Sequence, residues 1–110
     1  MATEEPFATF DDGTLHIDIV QCEVTLDGRP VIMNPKQCFV LLTLVLRHGQ
    51  PVSTAEILEL LWGKDAPKSA AKALQGHISS LRNMLTRQGS RDYPTVETVP
   101  GFGYRYCSRP

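Results

Sequence analysis

The hydrophobic pattern of this chain changes period at Asn34-Pro35, and a purely helical or purely β architecture cannot satisfy both sides of that boundary. Before it, Leu15, Ile17 and Ile19 alternate with His16 and Asp18, the repeat of a half-buried strand. Phe7 to Phe10 is a short apolar-rich stretch stopped by Asp11-Asp12-Gly13, and Cys22 to Leu26 reads as a further strand. Arg29 to Met33 follows as another, with Pro30 pointing to an edge position. Asp27-Gly28 between these last two is a strong hairpin signal, because both turn residues must accept positive φ. Residues 1–33 are therefore expected to form an antiparallel meander of about four strands.

After the boundary the spacing becomes helical. Asn34 is a good N-cap, and Pro35 suits the first helical position, where its missing N–H goes unused. The segment to His48 is apolar nearly all round (Phe39, Val40, Leu41, Leu42, Leu44, Val45, Leu46), which predicts a central helix ended by Gly49. Ser53-Thr54-Ala55-Glu56 predicts a capping box opening a second helix, closed by Gly63, with Trp62 in the core. A loop through Lys64, Asp65, Ala66 and Pro67 leads to a third helix over residues 69–88, ended by Gly89. On it Ala70, Leu74, His77, Ile78, Leu81 and Leu85 share one face, and Lys72, Gln75, Ser79 and Arg82 form a polar stripe on the other. Such a stripe has the length to enter a DNA major groove. Thr95 to Val99 and Tyr104 to Cys107 flank Pro100-Gly101-Phe102-Gly103, a hairpin over residues 95–107. Meander (1–33), three helices (34–89) and hairpin predict an α+β winged helix-turn-helix with an N-terminal four-stranded sheet, one domain over residues 1–110.

The net charge of −1 conceals a segregation. Residues 1–63 carry nine acidic against three basic side chains, and residues 64–110 carry eight basic against three acidic. A basic second half fits a polyanionic partner, although two solvated faces of differing charge would give the same tally. No stretch is long and apolar enough to span a bilayer, and no secretion signal is evident. Cys22, Cys38 and Cys107 are odd in number with no close pair, which argues against a disulfide framework or a metal site and for a reducing cytoplasm. His16, His48 and His77 fall on three separate elements with no Cys/His metal spacing and no Gly-rich phosphate loop, so neither an enzyme nor a cofactor is expected.

Several segments together resemble the OmpR/PhoB type of winged-helix output domain of bacterial transcriptional regulators. They are Asn34-Pro35-Lys36-Gln37 through Leu46, Val52-Ser53 with Glu56-Ile57-Leu58, Leu61-Trp62-Gly63, His77-Ile78-Ser79-Ser80-Leu81-Arg82, and Thr98-Val99-Pro100-Gly101-Phe102-Gly103-Tyr104-Arg105-Tyr106. The likeness spans essentially the whole chain and leaves no room in it for the receiver domain that usually accompanies such modules. It implies sequence-specific binding of double-stranded DNA, with the third helix reading the major groove and the wing at the adjacent minor groove. It also implies that the 63–68 loop can face RNA polymerase and that head-to-tail homodimers form on direct repeats. Many relatives have arginines where Ser79, Ser80 and Pro100 stand here. Those departures motivate an alternative, a winged helix repurposed for contact with polymerase, a regulator or its own copies.

Within that reading Lys72 and Gln75 are the expected base contacts, Gln for adenine and Lys for guanine or phosphate. Ser79 and Ser80 donate to phosphate or to base edges, or are ordinary surface residues. Arg82 and Arg105 match basic positions of the family and either hold the DNA backbone or form surface ion pairs. His77 contacts phosphate or packs at the border of the apolar face. Gly76, costly inside a helix, fits a close approach by a base or another helix. Phe102 at the wing tip either wedges against a sugar or base step or folds back onto the domain. Thr54, beside the cap residue Ser53, lies where a helix N-terminus can bind phosphate.

Overall fold

The computed structural model describes residues 9–88 and 94–108, with residues 87 and 88 described by their backbone alone. The expected start of the first strand at Phe7 and the helix stop at Gly89 lie outside the described residues. Four short strands open the fold: β1 Thr9–Asp11, β2 Leu15–Asp18, β3 Glu23–Leu26 and β4 Arg29–Val31. They pair in chain order as an antiparallel sheet, with Leu15 opposite Leu26, Ile17 opposite Val24, and Val24 opposite Val31. Alternation therefore puts these residues on one buried face. Between β3 and β4, Asp27 and Gly28 both take positive φ (51° and 81°), the conformation a two-residue hairpin turn demands.

Helix α1 (Pro35–Val45) begins as the Asn34-Pro35 pattern requires. The Asn34 side chain accepts from the Gln37 N–H at 2.8 Å, and the Gln37 side chain accepts from the Asn34 N–H at 3.1 Å, a complete capping box. The helix stops at Val45 with Leu46 as C-cap, short of the expected limit at His48. Nor is the segment buried all round, since Phe39 of the helix and its C-cap Leu46 stay 40% and 47% exposed. A two-residue strand β5 (Val52–Ser53) precedes α2 (Thr54–Trp62), and α3 (Ala70–Gln88) precedes β6 (Thr95–Val99) and β7 (Gly103–Cys107). Ser53 caps α2 by accepting from the Glu56 N–H at 3.1 Å. The other half of the expected box is replaced, because the Glu56 carboxylate is ion-paired with Arg47.

The core lies where α1, α2, α3 and the two sheets converge. Val40, Leu41, Leu44 and Val45 of α1 meet Ile57 of α2 and Leu74, Ile78, Leu81 and Leu85 of α3, closed by Val96, Tyr104 and Tyr106 of the hairpin. The N-terminal sheet is tied to the hairpin by Tyr106, whose hydroxyl donates to Asp12 Oδ2 at 2.8 Å while its ring meets Phe10 edge-on at 6.3 Å. Burial, and secondarily the Asp12 carboxylate, push the Tyr106 phenol well above its ordinary pKa.

Two expectations are corrected. Cys22 and Cys38 form a disulfide, with Cα atoms 6.3 Å apart. Their separation of 16 positions hides the pairing, because the β2–β3 turn folds back over the first turn of α1. Trp62 is half-buried rather than core, and the Lys36 ammonium sits over its ring at 4.9 Å.

Candidate nucleic-acid interface

Two features define this surface, the exposed face of α3 and the hairpin beside it. Helix α3 runs 19 residues, with Ala70, Leu74, Ile78, Leu81 and Leu85 sunk in the core. That burial fixes which side looks outward. Lys72, Gly76, Ser79, Asn83 and Thr86 are all exposed, at successive steps of four, three, four and three. At about 100° per residue, the eleven positions from Lys72 to Asn83 return to within about 20° of the starting direction, so the stripe runs straight along the helix.

The expected stripe of Lys72, Gln75, Ser79 and Arg82 is brought together only in part. Lys72, Gln75 and Ser79 are exposed, whereas Arg82 is half-buried. Ten positions from Lys72, it has drifted by about 80° toward the hairpin. There its Nε donates to the Val96 carbonyl at 2.7 Å and its Nη2 to the Thr98 hydroxyl at 2.6 Å. Asn83, which has the amide chemistry for adenine, takes the outward position that sequence reading gives to Arg82. An eleven-residue repeat from Lys72 is the signal for it. His77 and Ser80 are half-buried on the flanks of the apolar face. Gly76 is open, and a β-carbon added there would meet nothing within 4 Å. Among the described residues, no protein segment explains this glycine.

The hairpin belongs to a three-stranded sheet in the order β5-β7-β6, with Val52 opposite Tyr104 and Ser53 opposite Gly103. Strand β5, invisible to periodicity because two residues have no period, docks the hairpin on the start of α2. Thr54 adds to this by donating both its N–H, at 3.0 Å, and its hydroxyl, at 3.4 Å, to the Phe102 carbonyl. The first N–H of α2 is thereby occupied inside the protein. Phe102 itself projects from the tip, 51% exposed.

Arg105 lies on the outer side of β7 and is held by Glu97 across the ladder, through Nε at 3.0 Å and Nη2 at 2.8 Å. The guanidinium holds the Glu97 carboxyl below its usual range, helped by the Cys107 thiol. The 63–68 connection presents Lys64, Asp65, Pro67 and Lys68 to solvent. Among the described residues no helix is long and apolar enough to cross a membrane.

The family model described as "Transcriptional regulatory protein, C terminal" matches residues 28–106. The response regulator SaeR of Staphylococcus aureus is 34% identical over 98 residues, covering 89% of this chain and 41% of that protein. The chain thus spans about two fifths of the length of the curated relatives it matches. The DNA-binding domain of CpxR from E. coli superposes with a TM-score of 0.78 at 25% identity, over 93% of this chain and 98% of that one. The Klebsiella pneumoniae RstA DNA-binding domain, solved in complex with an RstA box, superposes with a TM-score of 0.74 at 25% identity, over 90% and 96%.

Proposed function

Because the chain belongs to the family of transcriptional regulatory C-terminal domains, of the OmpR/PhoB winged-helix type, we propose that it binds double-stranded DNA sequence-specifically. In this reading α3 lies in the major groove and the hairpin is the wing at the adjacent minor groove. The observation that carries the proposal is the straight exposed stripe of Lys72, Gly76, Ser79 and Asn83, set beside a hairpin whose tip projects Phe102. Lys72, Gln75 and Asn83 are the base-reading side chains, with Lys suited to guanine and the two amides to adenine. Ser79, Ser80 and His77 supply hydrogen-bond donors to phosphate. Gly76 admits the DNA close to the helix backbone.

The module acts by binding alone. RNA polymerase meets it through the 63–68 loop, and a head-to-tail homodimer places two copies on direct repeats. The alternative, a winged helix turned to protein contact alone, draws on Ser79, Ser80 and Pro100 standing where many relatives have arginine. Fewer basic side chains mean fewer released counterions and a shallower salt dependence.

Selection of a random duplex library on the purified protein, at about 50 and 200 mM salt, decides between the two readings. A recovered motif is expected, and a direct repeat would give the subunit arrangement as well. No enrichment at either salt would overturn DNA binding in favour of the protein-contact reading. With a motif in hand, Lys72→Ala combined with Gln75→Ala weakens binding to it far more than binding to unrelated duplex.

A further inference from the structure

We propose that Arg82 is a positioning residue, a brace that fixes the wing against the recognition helix, rather than a ligand of the DNA backbone. The functional half of this inference rests on the DNA reading above. The geometry is intramolecular. Arg82 leaves α3 on the wing side and spends its Nε on the Val96 carbonyl at 2.7 Å and its Nη2 on the Thr98 hydroxyl at 2.6 Å. Among the described residues strand β6 pairs only with β7, which makes it the edge of the three-stranded sheet, and a carbonyl on that edge needs a partner from outside the ladder. The planar guanidinium fits this task because it places two donors at fixed spacing against two acceptors.

The wing is held independently at its other side, where Thr54 donates to the Phe102 carbonyl and β5 pairs with β7. With α2 gripping the tip and α3 gripping the edge, the offset between recognition helix and wing is set before DNA arrives. That offset matters here because the tip, Val99-Pro100-Gly101-Phe102, carries no basic residue. Its contact with a minor groove depends on placement and shape, and a displaced tip has no charge to draw it back.

Three substitutions separate a brace from a phosphate ligand: Arg82→Gln, Arg82→Lys and Thr98→Val. The recovered duplex serves as probe in affinity titrations over a range of salt. A brace predicts that Arg82→Gln loses affinity by about tenfold, the effect of about one charge-assisted hydrogen bond, with the salt slope unchanged. Arg82→Lys keeps the charge but not the fork, so it does not restore affinity. Thr98→Val removes one acceptor, alters no charge, and gives a smaller loss in the same direction. Hydroxyl-radical footprints of the variants lose protection under the wing and keep it along α3.

A phosphate ligand predicts the reverse. Lysine would largely rescue binding, Arg82→Gln would reduce the salt slope by about 0.9, and Thr98→Val would bind like wild type. That pattern overturns the proposal. Amide hydrogen exchange of the free protein supplies a readout needing no DNA. Residues 96–98 exchange faster in all three variants, while α3 amides stay protected and show that the fold survives. Unchanged exchange at residues 96–98 also overturns the brace. If wild type enriches no duplex, the DNA reading fails on its own, and exchange still decides whether Arg82 holds the wing.

Discussion

Gly103 of β7 lies directly against the backbone of Val52, so close that a β-carbon there would run into the Val52 carbonyl oxygen and come within 2.9 Å of Ser53 Cα. These neighbours, with the Thr54 nitrogen also at 2.9 Å, are backbone atoms of β5 and the start of α2, and they cannot rotate away as a side-chain end can. The contact lets a two-residue strand dock the wing on the helical core.

Gly103→Ala is therefore expected to destabilise the protein by about 3 kcal/mol, the upper range for overpacking against an unyielding neighbour. Thermal unfolding checks this. Exchange of the Val52, Thr54 and Tyr104 amides should rise more than that of α1. A variant melting within a degree of wild type would show that the wing can lift off β5 at little cost.

Reduction of the Cys22–Cys38 bond is the second test. The bridge closes a loop of 16 positions between the β2–β3 turn and α1, and a loop of that length restricts the unfolded chain by about 3 kcal/mol. In a domain of this size the loss amounts to a fall in Tm on the order of 10–20 °C. Melting with and without a thiol reductant measures it, and Cys22→Ala should reproduce the reduced value and no longer respond to reductant. Equal melting of wild type in both conditions would mean that the bridge contributes no stability.

These features divide sharply in how legible they are from sequence. Helix α3 is readable because Leu74, Ile78, Leu81 and Leu85 repeat over many turns, and the Asp27-Gly28 turn because its backbone conformation is demanding. Strand β5 is not, since two residues carry no period. The Cys22–Cys38 pairing depends on how a turn folds over a helix, which spacing does not encode. Helical arithmetic turns Lys72, Gln75 and Ser79 outward, as they stand in the fold. The same arithmetic misjudges Arg82, because steps of three, four and three drift around the helix. It also gives a direction without naming the strand that lies there.

Cys107 offers a pH test. Burial, and then the neighbouring Glu97, raise its pKa above that of an ordinary thiol. At mildly alkaline pH it should therefore react with a maleimide or aromatic disulfide more slowly than a free thiol, because little thiolate is present. The linkage has a definite sign. Below the ordinary thiol pKa both folded and unfolded states hold the proton and no stability is lost. As pH rises past that value, the unfolded state ionises first, so stability falls until the folded thiol ionises too. Comparing Tm against pH for wild type and Cys107→Ala isolates the effect, and superimposable profiles would count against it.

Gly76 sets stability against recognition. It sits in mid-helix, open to solvent, where an added methyl meets no protein atom within 4 Å. Alanine there should stabilise the helix by about 1 kcal/mol, through its higher helix propensity and a less flexible unfolded chain. The expected rise in Tm is on the order of 5 °C. Nothing among the described residues requires the glycine, so its place in the outward stripe points to what approaches from outside. If a base or sugar edge comes to the helix backbone at this point, Gly76→Ala binds the selected duplex more weakly while melting higher, and Gly76→Val weakens binding further. Stability and affinity moving in opposite directions is the signature of a site kept bare for its ligand. A Gly76→Ala protein that is more stable and binds unchanged would show that DNA contacts α3 through its side chains alone.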